Sequence, residues 1–163
     1  MYDSRFFLPP TNPGPLAAGE ASPANGARSA AQVAQDLITA WNDHDADQVA
    51  ACYAADFVGE DVAQAEPQHG PAEVRRLTAF YFRAFPDLQV TVESLIVQGD
   101  QAVLVWTWRG THRGTFMRIP PTGRPVVVRG STIFTLSGGL IRRAVRIWDV
   151  AGLLRAVGLL PEL

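Results

Sequence analysis

The order of two hydrophobic periodicities predicts an α+β fold for this chain of 163 residues. Before Pro86, apolar residues recur every three or four positions, which is the spacing of one helix face. After Pro86 the period becomes two, which is the alternation of a strand with one buried face. Helices followed by a run of strands are typical of an antiparallel sheet with helices on one side.

Three helices are predicted before Pro86. Ser29 and Asp45 can each accept a hydrogen bond from a free backbone N–H group at the start of the first two helices. Gly70-Pro71 begins the third helix, and Pro86 ends it because proline cannot continue the backbone hydrogen bonds. The apolar stripes of the three helices run from Ala30 to Trp41, from Val49 to Tyr53 and from Val74 to Phe85.

A short strand is predicted between the second and third helices, over residues 56–61. Four longer strands follow Pro86, and glycine-containing turns such as Gly99-Asp100 and Gly138-Gly139 separate some of them. A last short helix ends before Pro161. The strands are predicted over residues 88–97, 102–111, 126–136 and 140–148, and the helix over residues 150–160.

Residues 1–29 form a separate extension before the domain, which we place at residues 30–163. The extension is rich in proline, glycine, alanine and asparagine and has neither period. A largely irregular or disordered tail is therefore expected. Its one apolar cluster, Phe6-Phe7-Leu8, has an alternative interpretation as an arm that docks on the domain or on a partner subunit.

Composition excludes several classes of function. A net charge of −2 provides no basic surface for nucleic acid or anionic membranes. There is no apolar run of about 20 residues for a membrane span and no signal-peptide pattern at the start, so a cytoplasmic location is expected. All 14 basic residues are arginine, which leaves no lysine for Schiff-base chemistry.

No cofactor or metal is expected. Cys52 is the one cysteine, so the chain has neither a disulfide nor a thiolate cluster. The histidines, His44, His69 and His112, do not have the spacing of metal ligands. Motifs for nucleotide, flavin or calcium binding are absent from the sequence.

Five segments, in this order and spacing, resemble SnoaL-like proteins, the polyketide and ester cyclase group of the nuclear transport factor 2-like folds. The resemblance implies a curled antiparallel sheet that forms a cone, with three N-terminal helices over its concave face. It also implies a deep apolar pocket and, commonly, a homodimer through the outer face of the sheet. The segments are WNDHDAD from Trp41, FPDLQVTVE from Phe85, WRGTHRGTF from Trp108, IPPTGRPV from Ile119 and WDVAGLL from Trp148.

The chain departs from the family pattern at the general acid/base. In the cyclases an aspartate on the last strand, three residues before the aspartate of the WD pair, has this role, and a histidine on the preceding strand assists it. The corresponding residues here are Arg146 and Thr132. Arginine stays charged at neutral pH and cannot abstract a proton, and threonine cannot replace an imidazole.

Strand alternation and the family orientation point Arg146 into the pocket, where a buried guanidinium needs an anion. Glu60 is the expected partner. One interpretation is a static ion pair. In the other, Arg146 holds a carboxylate or enolate oxygen of the substrate while Glu60 moves a proton. An arginine neighbour lowers the pKa of a glutamate, so the pair favours anion binding over proton abstraction.

Two further residues have a structural and a catalytic interpretation. His112 lies in the GTHRG segment. It is interpreted either as a proton carrier or as a loop histidine that makes a backbone hydrogen bond. Asp149 precedes the final helix, either as its N-cap or as a catalytic carboxylate. The predicted substrate-binding residues are Tyr53, Tyr81, Trp106, Thr132, Phe134 and Trp148.

The resemblance to SnoaL-like proteins, together with these residues, implies a cofactor-independent cyclase, isomerase or dehydratase that acts on a small, flat, apolar molecule of polyketide-like or terpenoid-like type. Arg146 would stabilise negative charge, and Glu60 or His112 would carry the proton. The alternative is a non-catalytic module of the same fold that binds a small molecule or only dimerises. A cavity of several hundred Å³ at Arg146 would favour the enzyme.

Overall fold

The computed structural model describes residues 26–161. The predicted docking of Phe6-Phe7-Leu8, and nearly all of the extension, lie outside these residues. In the described range, no helix has the length and apolar character needed to cross a lipid bilayer. The helices of this range are α1 (Ala30–Asn42), α2 (Ala46–Ala50), α3 (Gly70–Ala84) and α4 (Val150–Ala156).

The strands form one curled sheet that does not close. They are β1 (Tyr53–Asp61), β2 (Gln68–His69), β3 (Gln89–Gln98), β4 (Gln101–Thr111), β5 (Pro125–Ser137) and β6 (Leu140–Trp148). Their order is β2-β1-β6-β5-β4-β3. Neighbours from β3 to β6 are antiparallel, as predicted. The first strand pairs with the last one in parallel, which joins the two halves of the chain.

Most strand boundaries agree with the prediction to within one residue, and three larger differences stand out. Tyr53 was predicted on the second helix but begins β1, where its ring packs edge-on against Phe57 at 4.6 Å between centroids. The two-residue strand β2 was not predicted, because a segment this short has no period. The final helix ends at Ala156 rather than at Leu160.

The helix starts follow the predicted capping chemistry. Ser29 Oγ accepts from the backbone N–H of Gln32 at 3.3 Å, and Gln32 Oε1 accepts from the backbone N–H of Ser29 at 2.8 Å. This reciprocal pair is a capping box. Asp45 Oδ1 accepts from the backbone N–H groups of Asp47 and Gln48 and so begins α2.

The hydrophobic core lies between the helices and the concave face of the sheet. Helix α1 contributes Val33 and Leu37, and α3 contributes Val74 and Tyr81. The strands alternate, so that one face is buried and the other, the outer face, carries exposed apolar side chains. The inward positions of β4 and β5 include Ala102, Leu104, Trp106, Trp108, Val126, Val128, Phe134 and Leu136.

Candidate functional site

A narrow cavity, here called the inner cavity, lies between α1, α3 and the concave face of the sheet. Its volume is about 60 Å³, which is below the several hundred Å³ that was expected at Arg146 for an enzyme, and its walls are mainly aromatic and aliphatic. One cationic side chain, Arg146, lines it. The lining residues are Leu37, Ile38, Trp41, Tyr53, Tyr81, Val90, Leu104, Trp106, Trp108, Thr132, Arg146 and Trp148.

Gly130 on β5 allows two of these tryptophans to approach each other. It is in register with Trp106 on β4 and with Trp148 on β6. A Cβ atom at position 130 would lie 2.5 Å from the Trp106 ring and 2.7 Å from the Trp148 Cβ. Glycine is therefore required here for both tryptophans to keep these positions, because any side chain would displace a ring or the backbone.

A buried carboxylate, Asp61, holds Arg146 and Trp148 in place. Arg146 Nη1 lies 3.4 Å from Asp61 Oδ2, and Trp148 Nε1 donates to Asp61 Oδ1 at 2.8 Å. The Asp61 side chain is 1% exposed, whereas Arg146 is 20% exposed and reaches the cavity. Asp61 on β1 and Arg146 on β6 are direct partners in the parallel pairing, so the backbone sets this contact.

Two tyrosines face the same guanidinium. Burial raises the pKa of Tyr81 to about 12, and nearby Arg146 offsets part of that rise. The pKa of Tyr53 is raised for the same reason, again against the effect of Arg146. Burial alone would lower the pKa of Arg146, but Tyr81, Tyr53 and Asp61 raise it instead. At neutral pH the site therefore combines a charged guanidinium with two protonated phenols.

The predicted Glu60–Arg146 pair is replaced by Asp61–Arg146. Glu60 is exposed and does not line the cavity, whereas Asp61, one position later on β1, is buried. Successive strand residues point to opposite faces, so a shift of one residue moves the carboxylate from solvent to the interior. Arg146 lines the cavity, as expected from the alternation of side chains along the last strand.

His112 is buried away from the inner cavity. Its Nδ1 lies 3.1 Å from Thr122 Oγ1, its ring packs on Phe85 with centroids 5.5 Å apart, and Nε2 has no hydrogen-bond partner among the described residues. Burial lowers its pKa, which favours the neutral imidazole. The structure thus does not bring His112 to Arg146, and its contacts are those of a packed loop histidine.

Asp149 caps α4. Its Oδ1 accepts from the backbone N–H of Gly152 at 2.7 Å, which is the N-cap contact that its position predicted. Phe134 is fully buried in the core and does not line the cavity. Thr132 does line it, and its Oγ1 accepts from Trp106 Nε1 at 3.0 Å.

Sequence reasoning missed one polar residue of the site and part of its walls. Asp61 could have been found only from the pairing of β1 with β6, which periodicity does not reveal. The aliphatic lining residues lie on stripes that were interpreted as core, and core and cavity lining share the same pattern. The missed walls are Leu37, Ile38, Trp41, Val90 and Leu104.

A second cavity of about 360 Å³, here called the outer cavity, lies beside the inner one. Tyr81 and Trp148 belong to the walls of both. The outer cavity is otherwise formed by α3, the segment after β1 and the segment between β4 and β5. Those residues are Ala63, Gln64, Leu77, Phe80, Thr115, Phe116, Met117 and Arg118.

Neither cavity has a carboxylate or an imidazole in its wall among the described residues. No group of three or more acidic, histidine or cysteine side chains in that part of the chain is arranged to hold a metal ion. The polar chemistry of the inner cavity is therefore that of a hydrogen-bond donor set, which can bind and stabilise negative charge on oxygen.

Comparison with known proteins gives a consistent result for the fold. The family model described as SnoaL-like polyketide cyclase matches residues 31–157. Among curated proteins, none matches this sequence.

Solved structures with similar folds include three from Streptomyces. AclR, a proposed hydroxylase from Streptomyces galilaeus, has a TM-score of 0.72 and 26% identity, over 80% of this chain and 85% of AclR. TsrD from Streptomyces laurentii has a TM-score of 0.71 and 27% identity, over 80% and 95%. IdmH, a proposed polyketide cyclase from Streptomyces antibioticus, has a TM-score of 0.68 and 26% identity, over 78% and 97%. This chain is equally similar in sequence to AclR, a proposed hydroxylase, and to IdmH, a proposed cyclase, so these similarities do not indicate which reaction it catalyses.

Proposed function

Because this chain belongs to the SnoaL-like polyketide cyclase family, we propose that it is a cofactor-independent cyclase, isomerase or dehydratase. Its substrate is a small, flat, apolar molecule of polyketide-like or terpenoid-like type that carries a carbonyl oxygen. The observation that carries this proposal is Arg146, a charged guanidinium in the wall of an aromatic cavity beside two protonated tyrosines.

The proposed mechanism stabilises an enolate. A carbonyl oxygen placed at Arg146 accepts hydrogen bonds from the guanidinium and from a tyrosine hydroxyl. Negative charge then develops on this oxygen as the neighbouring carbon loses its proton. Because Arg146 stays charged and Tyr81 has a pKa of about 12, both remain donors throughout the reaction at neutral pH. Such donors, fixed in advance in an apolar site, favour the transition state over the ground state.

Glu60 and His112 do not accept the proton in this mechanism, since both lie outside the inner cavity. Asp61 is occupied by Arg146 and Trp148. We therefore assign the proton to water or to a basic oxygen of the substrate itself. This assignment favours substrates whose carbon–hydrogen bond is already acidic because it lies between two carbonyl groups.

Replacement of Arg146 with methionine tests the proposal. We expect kcat/KM on aromatic β-dicarbonyl compounds, followed by absorbance, to fall by about 10²–10³-fold, the usual cost of losing one oxyanion donor. Glu60→Gln is the control and should keep full activity. Since Arg146→Met leaves Asp61 without its partner, the double variant Arg146→Met with Asp61→Asn should show the same loss without a buried unpaired charge.

Equal activity of the wild type and both Arg146 variants would refute the mechanism. Tight binding of the same compounds to the wild type, with no turnover of any of them, would instead support the non-catalytic module.

We also propose that the chain forms a homodimer through the outer face of the sheet. The supporting observation is a row of apolar side chains in register across four strands: Ile96, Val103, Ile133 and Val145. Ile96 is 61% exposed and Ile133 is 42% exposed. An exposed apolar face of this kind is typical of a subunit interface.

Ile133→Glu places a charge in the centre of this row and is expected to give monomers, measured by sedimentation velocity. Ala72→Glu, on the exposed side of α3, is the matched control and should sediment as the wild type does. A wild type that sediments as a monomer at all concentrations, or an unchanged Ile133→Glu dimer, would contradict the proposed interface.

A further inference from the structure

The inner cavity is too small to hold a whole substrate. An apolar cavity of about 150 Å³ binds a molecule of the size of benzene, and ligand sites usually measure about 300–1,000 Å³. The inner cavity measures about 60 Å³, whereas the outer cavity measures about 360 Å³. The inner cavity can therefore receive one polar end of a ligand, and most of the ligand needs another place.

The outer cavity is adjacent and has the walls of a ligand site. Phe80 and Phe116 stack with centroids 5.4 Å apart, and Tyr81 packs against Phe116 at 4.9 Å. Tyr81 and Trp148 line both cavities. A flat ligand bound against Phe116 could thus extend past Tyr81 toward Arg146.

A strained turn forms one side of the outer cavity. Phe116 and Ile119 exchange two backbone hydrogen bonds, at 3.0 and 2.7 Å, around Met117 and Arg118. Both central residues have positive φ, 48° for Met117 and 64° for Arg118. A two-residue turn with this geometry favours Asn-Gly, and side chains such as those of methionine and arginine are strained there.

Residues in strained backbone conformations concentrate at ligand sites, where a functional contact of the side chain offsets the unfavourable conformational free energy. Both side chains line the outer cavity and are exposed at its rim. Among the described residues, none forms an ion pair with Arg118. A guanidinium in this position can pair with an anionic oxygen group.

We propose that the outer cavity is a second compartment of the ligand site, and that Arg118 selects ligands that carry an anionic oxygen group at the end remote from Arg146. This inference rests on the proposed function for the inner cavity and extends it. The substrate class becomes an elongated, mostly apolar molecule with a carbonyl at one end and an anionic group, such as a carboxylate, at the other.

Two fluorescent probes of nearly the same shape test this. 1-Anilinonaphthalene-8-sulfonate carries an anionic group, and N-phenyl-1-naphthylamine is its neutral counterpart. We expect the full-length wild type to bind both. The double variant Met117→Asn with Arg118→Gly should bind the sulfonate about fivefold more weakly and the neutral probe equally well, as expected for loss of one partly exposed ion pair.

The double variant is expected to fold, so weaker binding of the sulfonate would not result from unfolding. Asn-Gly suits the turn, so the double variant should have a Tm about 2–4 °C higher than the wild type. Met117→Asn alone is the matched control, because it changes the turn but keeps Arg118, and it should keep the preference for the sulfonate. Leu77→Trp fills only the outer cavity and should weaken the binding of both probes. Ile133→Glu, on the outer face of the sheet, should weaken the binding of neither probe.

An unchanged sulfonate preference in the double variant would overturn the inference, as would unchanged binding of both probes to Leu77→Trp. The proposed function fails separately, through turnover by the Arg146 variants. If Arg146→Met rather than the turn variant removes the sulfonate preference, the anion lies in the inner cavity and the second compartment is refuted, while the role of Arg146 stands.

Discussion

Replacement of Asp61 with alanine is expected to lower the free energy of unfolding by about 3–5 kcal/mol, the usual cost of removing one partner from a buried ion pair. The Asp61 side chain is 1% exposed and accepts hydrogen bonds from Arg146 and Trp148. Without it, a guanidinium and an indole N–H lose their acceptor in an apolar interior. Urea denaturation followed by tryptophan fluorescence measures the change.

Glu60→Ala is the matched control for this prediction. It removes the neighbouring carboxylate of the same strand, which is exposed, so its effect should stay within about 0.5 kcal/mol. The double variant Asp61→Ala with Arg146→Met should be more stable than Asp61→Ala alone, because it contains no unpaired guanidinium. Equal stability of the Asp61 and Glu60 variants would show that the charge pair is not what supports the cavity.

Phe85→Ala should destabilise the domain by about 3–5 kcal/mol, the range for truncation of a fully buried phenylalanine. Phe85 is 0% exposed, and its ring packs against Trp108, His112 and Phe116. Trp108 belongs to the wall of the inner cavity and Phe116 to that of the outer one. The truncation therefore removes the common support of both cavities.

Phe82→Ala provides the comparison, since Phe82 lies on α3 three residues before Phe85, is half-buried, and packs against Trp41 and His44. Its loss should cost about 1–2 kcal/mol, in proportion to the smaller apolar area that it buries. Thermal unfolding of both variants measures the difference. A Phe85→Ala variant that unfolds at the same temperature as Phe82→Ala would mean that the core closes around the missing ring.

Asp61 explains how a guanidinium can lie in the interior at position 146. It supplies a carboxylate from the neighbouring strand, on which it is the direct partner of Arg146. That carboxylate accepts from three donors, Arg146, Trp148 and the backbone N–H of Ala63, and does not line either cavity. In the proposed function, the site therefore stabilises negative charge on the ligand, and Asp61 does not remove a proton.

Some features could be predicted from the sequence because they depend on neighbours along the chain. Ser29, Asp45 and Asp149 begin helices through contacts within three residues, and each does so in the structure. The strands after Pro86 form an antiparallel meander in which consecutive strands are adjacent; short turns join β3 to β4 and β5 to β6, and residues 112–124 join β4 to β5. Alternation along β6 correctly placed Arg146 toward the cavity.

Tertiary structure alone decided the partner of Arg146 and the shape of the cavities. Asp61 meets Arg146 because β1 pairs in parallel with β6, although 85 positions separate them in the sequence, and a shift of one residue would have selected Glu60. The outer cavity joins α3 to a strained turn between β4 and β5. Local periodicity reports which face of an element is buried, but which faces meet depends on strand pairing and packing across the whole chain.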